Sequence, residues 1–356
     1  MKILVALSWW VDSSVVAALL QEQWHEVHAG FMINYLTDSP NCTTKIDLEV
    51  AKSVASHLAI PIYTFDYIEE YNDRIISLIY DGYLKGHTPN PDIWCNNLVK
   101  FDLFASEARQ AWYDAIATGH YAQIQFCEAI PQLYRGKDHS KDQSYFLSRL
   151  DQEQLSFARF PIGHIPKSEV RELAKKFQLP NALRPDSQGL CFIGKVSMQN
   201  FLAERLPSTP GYIVDTNGRK IGEHQGLWRY TLGQRKWIEV WGGPALYVIK
   251  KDQKNNILIV WPKDDPMRDQ YRFFVGNWNI LCNGDEWKYF QNHPTQLQAE
   301  IRYHQTPQNI QKIIPEVGWI LEIEFKEAQV GGVAGQALVI YSGERVLASG
   351  IIESVE

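Results

Sequence analysis

Apolar and polar positions divide the chain into two textures. Over the first third, short apolar runs alternate with segments of helical period. Ile3–Leu7, Glu26–Met32, Ile60–Phe65 and Ala115–Thr118 read as strands, while Ser13–Gln23, Ile46–Leu58, Tyr71–Tyr83 and Leu98–Trp112 read as helices. In the second helix Ile46, Val50, Val54 and Leu58 recur every four positions, one face of an α-helix. Repeated strand–helix units predict an α/β domain, a doubly wound parallel sheet with helices on both faces. Ligands of such sheets gather at the carboxyl ends of the strands, here the loops after Leu7, Met32 and Thr118.

One more helix is expected over Ser168–Phe177, and from Gly211 the texture becomes all-β. Asn217-Gly218, Asn255-Asn256 and Ser342-Gly343 each fall between strand-like flanks, a hairpin signal. The polar stretch Pro262–Arg268 suits a joint between two β pieces. The expected organisation is therefore 1–205 as an α/β domain, 206–268 as a small β-rich central domain and 269–356 as a C-terminal β-barrel. No apolar run approaches the ~20 residues of a membrane span. The first apolar run meets Asp12 too soon for a signal peptide. A cytoplasmic chain without membrane contact is expected.

The net charge of −6 argues mildly against nucleic acid as a bulk property. Phosphate contact needs only a local basic face, however; Arg229, Arg235 and Lys236 are local basic residues, which composition alone reads as solvated surface charge. Five cysteines (Cys42, Cys95, Cys127, Cys191 and Cys282) are scattered without a CxxC pair, which argues against structural zinc. No metal ligand is assigned. Free thiols of a reducing compartment are mostly buried apolar groups.

Candidate chemistry begins after the first strand, where Ala6-Leu7-Ser8-Trp9-Trp10-Val11-Asp12-Ser13-Ser14 leads into a helix. Strand, tight loop and helix N-terminus can bind phosphate, because free amides and the helix dipole face the anion. The segment is neither a Walker A loop nor a GxGxxG fingerprint. It resembles the Ser-Gly-Gly-x-Asp-Ser-Ser loop of N-type ATP pyrophosphatases, with tryptophan at both glycine positions. Indoles there are expected to need unusual dihedrals, at roughly 1–3 kcal/mol each, and to weaken ATP binding. By family resemblance Trp24 and Trp237 also stand where glycine is implied, and Trp112 and Trp241 are candidates for the same exchange among twelve tryptophans.

Three other motifs narrow the choice. Thr88-Pro89-Asn90-Pro91-Asp92-Ile93-Trp94-Cys95-Asn96 carries two prolines that predict a stiff, extended loop holding Asp92 and Cys95. Its plainer reading is a surface turn beside a buried cysteine. Ala117-Thr118-Gly119-His120-Tyr121 follows a strand, where Gly119 permits close approach to a nucleotide and His120 stands at the strand's carboxyl end. A lone histidine is more often a hydrogen-bonded core residue. Asp186-Ser187-Gln188-Gly189-Leu190-Cys191 offers a second cysteine between glycines.

Together with Lys141-Asp142-Gln143, Arg302-Tyr303 and Gly335-Gln336, these motifs resemble, in order and from Lys2 to about Ile352, the tRNA-specific 2-thiouridylases. That resemblance implies a HUP-type nucleotide domain and ATP-dependent replacement of the C2 oxygen of a wobble uridine by sulfur. ATP with Mg2+ is the implied co-substrate, with no tightly bound cofactor. Ala6, Leu7, Ser8, Trp9, Trp10, Val11, Asp12, Ser13, Met32 and Gly119 are the implied ATP-binding positions. The implied pair of catalytic cysteines is Cys191, carrying a persulfide from an upstream sulfur carrier, and Cys95, either closing a disulfide with it or attacking C2. Asn90, Pro91 and Asp92 are implied to frame the extruded base, Asp92 as acid or base. Lys141, Asp142, Gln143, Arg302 and Tyr303 are implied to contact tRNA, and His120 and Gln336 to recognise it. A monomer is expected. Two alternatives stay open: an ATP-impaired tRNA-binding relative, and a different adenylating ligase of the same superfamily.

Overall fold

The computed structural model describes residues 1–37, 42–185, 198–235, 238, 245–262 and 269–356. β1 (Lys2–Ala6) is central to a parallel sheet with β2 (Glu26–Ile33), β3 (Ile62–Asp66) and β4 (Ala115–Ala117). Its side chains alternate between two cores. Leu4 and Ala6 pack with Ile75, Cys95 and Phe104, whereas Ile3, Val5 and Leu7 pack with Val15, Val16 and Val170. A strand buried on both faces must be apolar throughout, which is why the run was legible.

The chain then leaves the sheet for an antiparallel hairpin, β5 (Ala122–Cys127) and β6 (Ile130–Arg135), and returns for β7 (Ala158–Arg159). The sheet order is β3-β2-β1-β4-β7. Four strands, β8 (Gly211–Val214), β9 (Lys220–His224), β10 (Leu246–Asp252) and β11 (Ile257–Pro262), make a small second sheet. The C-terminal strands are β12 (Gln270–Ile280), β13 (Gln298–Glu300), β14 (Gln308–Pro315), β15 (Leu321–Gln329), β16 (Ala337–Ser342) and β17 (Arg345–Val355). They run β12-β15-β14-β13-β16-β17, and pairing of β12 with β17 closes them into a six-stranded barrel. The expected α/β class, parallel sheet, small β unit and barrel are all present. The three expected hairpin turns link β8 to β9, β10 to β11 and β16 to β17.

Two details differ from expectation. The helix Thr44–His57 buries Asp47, Ala51, Val54 and Ala55 and leaves Ile46 61% exposed, so the period was right and the face was rotated. Alanines let that helix lie close, and the Thr43 hydroxyl, donating to Asp47 at 2.7 Å, makes a buried carboxylate tolerable. The hairpin β5–β6 was not foreseen. It extends the barrel sheet through β6 beside β17, Arg135 N–H donating to the Glu344 carbonyl at 2.9 Å, and so links the two halves. Most of Pro262–Arg268 lies outside the described residues. Among those described, no helix is long and apolar enough to cross a membrane.

Candidate functional site

The loop after β1 is organised by hydroxyls. Ser8 N–H donates to Ser13 Oγ at 3.1 Å, Trp10 N–H donates to Ser8 Oγ at 3.3 Å, and Ser14 Oγ donates to the Trp10 carbonyl at 3.1 Å. Trp10 is the N-cap of the helix Val11–Glu22, and its side chain caps nothing. The expected dihedral strain is absent: Trp10 has φ −78° and ψ 148°, and Trp9 is not left-handed either. The strain is avoided because the loop turns through extended backbone. The indoles instead stack on each other, centroids 3.6 Å apart, with the Arg184 guanidinium 5.0 Å from the Trp9 ring.

Asp12, in the first helical turn, accepts from Lys167 Nζ at 2.7 and 2.9 Å and from the Tyr121 hydroxyl at 2.7 Å. Asn181 Nδ2 donates to the Trp9 carbonyl and to Ser14 Oγ, both at 3.0 Å, while its buried Oδ1 has no partner. Lys167 and Asn181 went unnoticed in the sequence, and no local signal marks either. Gly119 lies so close that a Cβ there would stand 2.8 Å from Ser13 N. Its smallness seats the β4 loop against the helix start, rather than only clearing space for a nucleotide.

The proline-rich motif is not the extended loop expected. Pro91–Cys95 is a helix with Pro91 at its start, where the missing N–H costs nothing. The Asn90 side chain accepts from Asp92 N–H at 3.1 Å and Ile93 N–H at 3.4 Å. Cys95 is fully buried at the helix end. Burial pushes its thiol up to about 12, the Asp92 charge adding and Lys100 opposing. Lys100 also acts on His120, whose burial holds it well below the usual imidazole range. His120 Nδ1 shares a 2.8 Å hydrogen bond with Thr118 Oγ1, and its ring lies among Phe101 and Phe160.

The barrel reaches this helix. Thr88 N–H donates to the Ala334 carbonyl at 2.7 Å, and Gln336 Nε2 donates to the Thr88 carbonyl. Gly335, at φ +91°, passes so near His87 and Thr88 that a Cβ would lie 2.9 Å from each. Behind it, Asp142 is buried, accepting from Arg135 at 3.0 Å and from Gly136 N–H at 2.8 Å. Arg135 also donates to Glu300 at 2.7 Å and stacks 3.7 Å over Tyr341. Gln143 Oε1 accepts from Tyr121 N–H at 3.0 Å. Lys141 is half-buried and Arg302 exposed. Tyr303 stacks between Phe146, 4.2 Å away, and His304, 3.9 Å away.

A cleft of about 350 Å³ opens beside the end of β2, lined by Asn34, Tyr35, Ile68 and Asp73 among others. Met32 is buried next to it in the chain, and both amide atoms of buried Asn34 lack partners. The residues lining that cleft do not include the β1 loop. Cys191 and its motif, Lys236, Trp237 and Trp241 lie outside the described residues. Of the other cysteines, Cys127 is exposed and Cys42 and Cys282 are half-buried, Cys282 packing against the barrel core.

A parallel sheet with a hydroxyl-lined turn at a helix N-terminus, coupled to a closed barrel, defines an α/β nucleotide-domain protein with a β-rich extension. Three family models match in chain order: a tRNA methyl transferase HUP domain over residues 1–195, a tRNA methyl transferase PRC-barrel domain over 199–262 and an aminomethyltransferase beta-barrel domain over 272–352. Curated proteins named tRNA-specific 2-thiouridylase MnmA align along the whole chain. The Shouchella clausii protein is 37% identical over 99% of this chain and 97% of its own, and the Ralstonia nicotianae protein 39% over 100% and 96%. The Akkermansia muciniphila protein is 39% identical over 100% and 99%. The chain belongs to the tRNA-specific 2-thiouridylase family.

Proposed function

We propose that this chain transfers sulfur to C2 of the wobble uridine of tRNA, using ATP to activate the C2 oxygen. The observation that carries the reading is Cys95, buried at the end of an Asn90-capped helix that the barrel holds through Thr88, in a chain spanning its 2-thiouridylase relatives end to end. An oxygen at C2 is a poor leaving group, so it is first adenylated, and pyrophosphate departs from the Ser8–Ser13 loop. Sulfur bound to Cys191 as a persulfide then attacks C2 and displaces AMP. Cys95 then attacks Cys191 Sγ, closing a disulfide and breaking the bond to the transferred sulfur, which stays on C2. In the alternative order Cys95 attacks C2, displaces AMP, and is itself displaced by the terminal sulfur of the Cys191 persulfide, after which it closes the same disulfide. With its thiol held up to about 12, Cys95 stays protonated until its burial is relieved, which favours a role after tRNA has engaged the loop.

Asp12 offers one carboxylate near the loop, and among the described residues no cluster of three or more metal-ligating side chains exists. Mg2+ would arrive with ATP, and Asp12 would help hold it beside the phosphates. Asn90, Pro91 and Asp92 frame the base in this reading, with Arg302, Tyr303 and Lys141 on the tRNA side. The sulfur donor is a persulfide carrier, and residues 1–205 hold the chemistry.

The test is tRNA thiolation with ATP, Mg2+ and a persulfide source. Cys95→Ser and Cys191→Ser should each abolish 2-thiouridine while tRNA affinity stays within about twofold. Thiolation persisting in either variant would remove the two-cysteine mechanism. A second reading, a tRNA-binding relative that does not turn over ATP, is favoured by one observation: the stacked indoles at the loop. It predicts tRNA binding without pyrophosphate release.

A further inference from the structure

The tryptophans fall into two physical populations. Trp228 and Trp287 are buried, and Trp228 Nε1 donates to the Pro207 carbonyl at 2.9 Å. Trp278 packs on Trp287 at 5.9 Å, Trp94 packs on the main core, and Trp261 is half-buried in β11. These five behave as large apolar residues should.

Trp24, Trp112 and Trp319 do the opposite. Their indoles are 95%, 86% and 92% exposed, so they bury almost nothing. All three have left-handed backbone, with φ of 62°, 58° and 65°. Of ten non-glycine residues with that backbone among the described residues, three are tryptophan, far more than twelve in 356 would supply. Each site has a known shape. Trp24 follows the helix Val11–Glu22, with Trp24 N–H donating to the Gln21 carbonyl and His25 N–H to Leu20. Trp112 repeats this after the helix Phe104–Gln110, donating to Arg109, with Tyr113 donating to Ala108. That is the helix-ending motif in which glycine is the usual residue. Trp319 follows Gly318, also left-handed at φ 77°, in the turn between β14 and β15. Ala59 and Gln178 are left-handed as well, so a side chain is tolerated there. What singles out the tryptophans is that backbone together with an indole that gains nothing.

Trp9 and Trp10 add a second kind of site. Trp10 is an N-cap without a capping bond, a position where glycine serves and bulky apolar residues do not. Both lie in the turn at the start of the helix Val11–Glu22, where glycine would let the backbone of a phosphate-binding loop approach its anion.

We propose that positions 9, 10, 24, 112 and 319 are glycine in the polypeptide its source makes. They are encoded by a codon that the source reads as glycine and another genetic code reads as tryptophan. UGA is such a codon, being a stop, tryptophan or glycine in different codes, whereas UGG is tryptophan. The loop then carries two glycines, and the helix ends and the barrel turn recover the residue their backbone favours. The inference rests on backbone and packing, and does not depend on the sulfur-transfer reading.

Two measurements test it. In the gene, codons 94, 228, 261, 278 and 287 should be UGG and codons 9, 10, 24, 112 and 319 UGA. UGG at 24, 112 and 319 overturns the proposal. Tryptic peptides from protein purified out of its own source give the second. Gln110–Arg135 and Ile313–Lys326 should each be lighter by the difference between one tryptophan and one glycine, while Phe273–Lys288 keeps the mass of both its indoles. Full tryptophan mass in the first two overturns the proposal, whatever the protein's activity.

Discussion

Two ion-pair clusters lie on either side of Tyr121, and they are finished to different degrees. At the β1 loop, Asp12 and Lys167 are paired at 2.7 Å yet 22% and 13% exposed, beside an Asn181 oxygen with no partner. Beneath the barrel, Arg135, Asp142 and Glu300 are all below 10% exposed, and the guanidinium is paired twice and stacked on Tyr341. A buried cluster with every group matched fixes geometry; a half-open one with an orphaned acceptor has capacity left for a ligand. Asp142, implied by resemblance to meet tRNA, spends its carboxylate on the brace in this state.

Removing one partner from each cluster should separate these roles. Arg135→Ala leaves two buried carboxylates uncompensated and should cost about 3–5 kcal/mol, seen as a lower denaturation midpoint with the two halves loosened together. A loss below about 1 kcal/mol would mean the brace is dispensable. Lys167→Ala should cost less stability, about 1.5–3 kcal/mol, because Asp12 keeps Tyr121 and some water. Its larger effect should be on ATP affinity by calorimetry, and an unchanged affinity would take Lys167 out of the site.

How much of this was legible follows from the range of each interaction. The strands of the parallel sheet could be read because burial on both faces forces an unbroken apolar run. Asn90 and Cys95 were singled out only through the resemblance of a local motif. The Asn90-capped helix that carries them was missed because two prolines read as extended chain, although proline also suits the first helical position. Lys167 and Asn181 could not be found, since their partners at the loop are 155 and 167 positions away and a lysine at a helix start is unremarkable. The hairpin β5–β6 went unread in the sequence, and its place in the sheet is decided by distant strand β17. The helix Thr44–His57 was turned partly the wrong way because Ala51, Ala55 and a bonded Asp47 face the core beside Val54, while Ile46 points outward.

His120 gives the contrast a pH dependence. Burial lowers its folded pKa well below 6.5, so the unfolded chain takes up a proton that the folded one refuses. The contribution is fully present above pH 6.5 and shrinks as pH falls from there toward the folded value. Melting temperature should therefore drop below about pH 6.5, and His120→Gln should flatten that limb. An unchanged slope would place the acid sensitivity elsewhere.

The smallest effect asks whether the two halves of the molecule share one anomaly. Trp24→Gly on the α/β side and Trp319→Gly in the barrel both relieve a left-handed backbone and remove an exposed indole. Each should stabilise by roughly 1 kcal/mol, the gain in the folded state being partly offset by the looser unfolded chain. Trp287→Gly, the same change at a packed site, should instead cost at least about 3–5 kcal/mol. Opposite signs for one chemical substitution, read from three denaturation midpoints, would locate the strain in the backbone at the turns. If Trp24→Gly and Trp319→Gly destabilise, those indoles have partners in solution, and the exposed tryptophans are contact residues.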